Sequence, residues 1–397
     1  MNPNILAWAR DQAGFTPEEA ARRARIGSTK TTSPEKRLLD WEAGKGQPTR
    51  TQLQGLARAY RRPLALFFMK KPPKRDERVA DFRSGPEHRS GVYSNELAAL
   101  IRQAQARQDE VRQLLLSEDP TPDSLPFIGR FDTSVSVEAL VADLRATLGI
   151  SSPEQKRTRD ASELFRLLRQ RAEESGIFVL LEGDLGSHHS SIEPTEFRGL
   201  ALADEYAPFV IVNSNDSRGA RVFTLVHELA HLWLGQSGVG NEIPYGDFSS
   251  LGTLEHLCNQ VAAELLLPKD DFLEEWASAG LDSAEEMVRR TASRYSVSTT
   301  LAANRAWNLG RIDDQTWRDL FQLFGEEWRR SLERRKKKER ESEGGPSFYV
   351  LQRQRLGNAL ISLVLGAVAS GDLTHTRAMR ILRVKPDSFA KLGEVGA

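Results

Sequence analysis

Arg218-Gly-Ala-Arg-Val-Phe-Thr-Leu-Val-His-Glu-Leu-Ala-His-Leu-Trp-Leu-Gly235 is the stretch whose reading decides the fold. Asn215, Asp216 and Ser217 offer N-cap oxygens, Val222, Leu225, Val226, Leu229 and Trp233 recur at helical spacing, and Gly235 supplies a stop. The spacing therefore predicts a helix. On it, His227 and His231 stand one turn apart on one face and can hold a single metal ion, while Glu228 falls beside them, where it can take a proton from a metal-bound water. With 7 histidines in 397 residues, chance gives such a pentapeptide only about 0.008 times per chain, so a capped amphipathic helix with idle histidines is the weaker reading.

A tetrahedral catalytic metal site wants a third protein ligand and one open position. Leu254-Glu-His-Leu-Cys-Asn-Gln-Val-Ala-Ala-Glu-Leu-Leu-Leu-Pro268 reads as a second helix that can supply it. Glu255 is the expected ligand because Asn259, one turn on, could hold the outward nitrogen of a ligating histidine. Glu264 competes for the role, since a carboxylate among Ala and Leu needs a partner. His256, adjacent to Glu255, projects elsewhere. Cys258 is the chain's single cysteine and reads as a small core residue in a reducing compartment.

The two segments together resemble the ImmA/IrrE family of bacterial and phage metallopeptidases, over roughly residues 156 to 312. The resemblance implies a zincin-like core with His227, His231 and Glu255 as ligands and Glu228 as general base. It also implies Zn2+ as cofactor, with another divalent ion such as Mn2+ as an alternative. The implied substrate is a partner helix-turn-helix repressor, whose cleavage relieves repression in stress response or in mobile-element and phage-defence regulation.

A 39% apolar, 28% charged chain of this length suits a soluble protein of two or three domains. It has neither an 18-residue apolar run nor a signal-peptide layout, so a cytoplasmic protein without a membrane partner is expected. The zero net charge hides an asymmetry: residues 1 to 75 hold 16 Lys+Arg against 6 Asp+Glu, leaving 39 against 49 in the remainder. Such a basic segment suits duplex DNA or an acidic protein surface.

Within it, Ile5 to Arg10, Phe15 to Ala21 (capped by Thr16, with Pro17 first and Glu19 at the capping-box position), Leu38 to Gly44 and a segment opening at Pro48-Thr49 read as four helices. Trp41-Glu-Ala-Gly-Lys-Gly-Gln-Pro-Thr49 is similar to the signature of Xre/Cro-type helix-turn-helix domains. One departure stands out. Gly27 to Glu35 looks inserted before the recognition helix, where it either meets phosphates through Lys30 or blocks the groove. Lys36 and Arg37, at the start of that helix, are the candidate base contacts, and protein docking is the competing use of the module.

The expected organisation is multidomain and mainly α: a helix-turn-helix domain over 1–69, a linker and helical region over 70–155, and an α+β zincin-like core over 156–275, with a small sheet behind the metal helix. A helix-turn-helix-like extension follows over 276–325, then a charged linker over 326–347 and a C-terminal helical segment over 348–397 with Leu360, Leu363, Val364 and Ala367 as its buried stripe. Residues 94–117 and 160–176 read as helices, and 176–181, 199–203 and 208–213 as strands. His188 and His189 read as loop residues, and Tyr206, Tyr245 and Arg221 as candidate oxyanion donors. The rival to the enzyme is a DNA-binding regulator or antitoxin-like protein that uses a non-catalytic peptidase fold for docking or sensing.

Overall fold

The computed structural model describes residues 1–29, 31–73, 79–81, 93–118, 123–240, 253–278, 283–341 and 348–394. They group into two compact units, one of residues 1–77, 85–103 and 184–191, the other of 78–84, 104–183 and 192–397. Lys30 and Tyr245 lie outside the described residues.

In the first unit, α1 (Pro3–Gln12), α2 (Pro17–Arg23), α3 (Pro34–Glu42) and α4 (Arg50–Ala59) each start at a side-chain cap. Thr16 accepts from Glu19 N, and Thr49 and Gln52 form a reciprocal capping box. Ile5, Leu6, Leu38, Leu56, Tyr60 and Phe67 are fully buried at the centre. Glu42, inside the Trp-Glu signature, takes a two-pronged contact from Arg10, whose third nitrogen donates to Phe15 O at 3.0 Å. This ion pair ties α1 to α3.

Helix α3 begins earlier than the sequence suggests. Ser33 caps it and Pro34 occupies its first turn, so Pro34 and Glu35 belong to the helix and the inserted loop is shorter. Lys36 is exposed in the first turn, whereas Arg37 donates to Gly27 O and lies 5.3 Å over the Trp41 ring. Arg37 thus braces the inserted loop.

The second unit is built on a mixed sheet. Its strands are β1 (Ala80–Asp81), β2 (Phe178–Leu181), β3 (Gly199–Leu202), β4 (Phe209–Val212) and β5 (Gly238–Gly240), in the order β1-β5-β3-β4-β2. β3 runs antiparallel to both its neighbours, while β4 pairs with β2 and β5 with β1 in parallel. The helices are α5 (Asn95–Glu118, whose residues from 104 group here), α6 (Val137–Leu148), α7 (Ser152–Gln155), α8 (Ala161–Glu174), α9 (Arg218–Trp233), α10 (Thr253–Leu266), α11 (Lys269–Ser278), α12 (Ala284–Arg294), α13 (Thr299–Asn308) and α14 (Asp314–Glu341). Four more, α15 (Phe348–Leu356), α16 (Asn358–Ser370), α17 (His375–Leu382) and α18 (Pro386–Glu394), end the chain. No helix among the described residues is long and apolar enough to cross a membrane.

Helix α9 packs against α8, α10, β3 and β4. Of its sixteen residues all but Arg218, Gly219 and Arg221 are buried, so the apolar stripe seen in the sequence is one side of a helix enclosed all round. Ser217 caps its start and Gly235, at φ +65°, follows its end, with Gln236 N returning to His231 O at 2.9 Å. Trp233 is fully buried and stacks on Phe127 at 4.4 Å.

The hydrophobic core reaches beyond residues 156–275. Leu140, Leu144 and Leu148 of α6 enter it from one side, and Val288, Leu301 and Phe324 of α12, α13 and α14 from the other. The charged run from 326 belongs to α14, which continues as helix to Glu341. At the chain's end Ile361, rather than the half-buried Leu363, completes the stripe of Leu360, Val364 and Ala367. Glu173 of α8, held by Arg169, accepts from Asn358 N and Ala359 N at 3.1 and 3.2 Å, a carboxylate set on the positive end of α16.

Candidate metal centre

Helices α9 and α10 bring His227, His231 and Glu255 to one point. His227 Nε2 lies 3.2 Å from Glu255 Oε2, His231 Nε2 lies 3.1 Å from Glu255 Oε1, and the two Nε2 atoms are 3.1 Å apart. Asn259 Oδ1 faces His227 Nδ1 at 3.0 Å. Asn259 is an acceptor in this orientation, so Nδ1 carries the proton and Nε2 presents a lone pair. Glu255 sits where a single turn of α10 separates it from Asn259, and both side chains face α9.

The donor set fits a metal ion. Ligand atoms at the usual Zn–N and Zn–O lengths around a tetrahedral centre lie about 3.3 Å apart, and the three separations here are within a few tenths of that. Two imidazole lone pairs and a carboxylate turned on one another, all at 5% exposure or less, also need a cation between them. Among the described residues this is the one group of His, Cys, Asp or Glu side chains that could hold a metal.

The electrostatics follow from burial. For Glu255 burial favours the protonated form, yet the two imidazoles facing it, His227 and His231, outweigh it and hold the carboxyl down to about 2. Burial lowers the His231 pKa and keeps the ring neutral, the form in which it can ligate. Glu228, at 2% exposure, is pushed up to about 8 by burial and the neighbouring Glu255, against an opposing pull from His227. A cation on the three ligands opposes that rise. Glu228 Oε2 is a buried acceptor without a hydrogen-bond partner among the described residues.

Glu228 is positioned by something the sequence did not reveal. A Cβ added at Gly199 of β3 would stand 2.6 Å from Glu228 Cδ, so only glycine lets the strand pass so close to the carboxylate. Gly199→Ala should therefore displace the carboxylate and lower peptide hydrolysis by about tenfold or more, with metal content unchanged. Paired measurement of turnover and bound metal checks this; a variant as active as the parent would show that the approach has no bearing on the chemistry. A crevice of about 10 Å³, lined by Arg198, Phe223, Thr224, His227, Glu228 and Gly240, adjoins the site and has room for about one water.

Other candidates are placed elsewhere. Glu264 pairs with Arg305 and accepts from Lys269 N at 3.0 Å, so it braces the end of α10 and stands outside the cluster. His256 is half-buried beside Glu255 and is not in the cluster, and His189, in the short 3-10 turn His188–Ser190, is not in it either. Cys258 is buried, with its thiol pKa pushed up by burial. Arg221 is committed to Ser214 O and Asp216 O, and the Tyr206 ring carries the Arg112 guanidinium at 5.4 Å. Neither lines the crevice, where the sequence reading had overlooked Arg198, which is paired with Asp216.

Two histidines from one helix and a carboxylate from the next form a group that could hold a metal ion, with a buried glutamate beside it, which is the arrangement a metal-dependent hydrolytic site requires. Residues 172–306, about a third of the chain, match the family model of the IrrE N-terminal-like domain, peptidase M78, so the chain carries a domain of metallopeptidase type with a divalent metal implied. No curated protein and no solved structure matches the chain.

Proposed function

We propose that this chain is a zinc-dependent endopeptidase of the ImmA/IrrE kind that cleaves a partner helix-turn-helix repressor in stress-response or mobile-element and phage-defence regulation. The observation that carries the proposal is the convergence of His227, His231 and Glu255, within 3.1–3.2 Å of one another, beside a buried Glu228 with one oxygen unpartnered among the described residues. Zinc held by the three ligands would polarise the substrate carbonyl and make a water nucleophilic near neutral pH. Glu228 accepts the proton of the attacking water and passes it to the leaving nitrogen. Asn259 keeps the His227 ring turned to the centre, and Gly199 keeps the Glu228 carboxylate against β3.

The non-catalytic docking reading is weaker because of Glu228. A scaffold has no use for a buried carboxylate with one oxygen unpartnered among the described residues, which costs stability wherever it is charged. Duplex DNA is the second partner of this reading, met by the basic N-terminal segment and by the exposed Lys36 at the start of α3. The test is incubation of the zinc-loaded protein with a helix-turn-helix repressor encoded beside its gene, followed by mass spectrometry. A defined cut that disappears with chelator is expected. A repressor that binds the loaded protein and stays whole would overturn the enzymatic reading.

A further inference from the structure

A second cavity, of about 390 Å³, opens in the larger unit between α5 and the far ends of the strands that carry Gly199 and Gly240. Its floor is Leu202 and Ala203 at the end of β3, with Ser237 before β5 at one side and Gln105, Asp109 and Arg112 of α5 at another. Gln105 is only 5% exposed, and its Nε2 has no hydrogen-bond partner among the described residues. Buried amide donors are nearly always satisfied. Gln108, one turn along, shows the contrast: its Nε2 donates to both Leu202 O and Ala207 O at 2.9 Å.

The charges around the cavity are of both signs and fixed in place. Arg112 is held by Asp204 Oδ2 at 3.0 Å and by the Tyr206 ring, and Asp204 Oδ1 accepts from Tyr206 N and Ala207 N at 2.9 Å. Asp109 adds a second carboxylate on the α5 wall. Ser237 Oγ accepts from Ala203 N at 2.8 Å and keeps its own hydrogen to donate. Donors from Gln105, Ser237 and Arg112 suit a carboxylate, and Asp109 suits an ammonium group. The volume lies at the small end for ligand sites.

We propose that this cavity binds a small zwitterion of amino-acid type, with Gln105 as its central hydrogen-bond donor. The site is separate from the metal centre and does not depend on proteolysis. Full-length protein is titrated calorimetrically with single L-amino acids up to about 10 mM, with putrescine, succinate and glycerol as single-charge and neutral controls. At least one amino acid should bind and raise Tm with concentration, while the controls do not. Gln105→Leu removes an unsatisfied buried amide, so the variant should fold as well as the parent while its affinity falls by about tenfold or more. Asp109→Asn should weaken amino-acid binding as well. Absence of binding to the parent, equal binding of a single-charge control, or full affinity in a folded Gln105→Leu variant would each overturn the proposal.

Discussion

Glu228→Gln should abolish peptide hydrolysis while leaving the metal content of the protein unchanged. The substitution preserves size and leaves His227, His231 and Glu255 untouched, so the ligand set at 3.1–3.2 Å stays in place. What it removes is the group able to accept and return a proton, a contribution worth about 10²–10⁴-fold in rate. Stability should not fall, because a neutral amide is less costly at 2% exposure than a carboxylate whose Oε2 has no partner among the described residues. Three readouts settle it together: turnover on the repressor, metal per chain and Tm. If the glutamine variant cleaves at the parental rate, Glu228 is not the base and the proposed chemistry falls.

Loss of metal is the second large effect. The purified protein should carry about one divalent ion per chain, and His231→Ala should lose most of it, since two remaining ligands cannot close a stable site. Because bound metal stabilises the folded state by mass action, the parent's Tm should drop on chelation and the variant's should hardly respond. Glu264→Ala is the control: its carboxylate is spent on Arg305 and Lys269 N, so metal content should be that of the parent. Parental metal content in His231→Ala would remove the His227, His231, Glu255 assignment; loss in Glu264→Ala would mean that the wrong carboxylate was chosen.

The metal helix could be read from sequence because every local signal agreed: Ser217 as cap, apolar residues at helical spacing, two histidines one turn apart and Gly235 as stop. The three strands β2, β3 and β4 were legible for a similar reason, as short apolar runs bounded by turn residues. Strand β5 was not, since Gly-Val-Gly is short and glycine-rich and is held extended by its pairing with β3 and β1. Gly199 and Arg198 escaped for a different reason. Their importance lies in what stands opposite them in space, and neither has a local pattern that announces it. The early start of α3 is encoded in Ser33-Pro34, a capping hydroxyl followed by a first-turn proline.

Helix α9 is enclosed on every side beyond its first turn, so the residues proposed to carry the chemistry are at the same time residues of the hydrophobic core. A substitution along this helix is therefore felt twice, once at the site and once in the stability of the unit around it. Site and scaffold fail together under mutation, and a chain that keeps this packing has kept the setting of its two histidines.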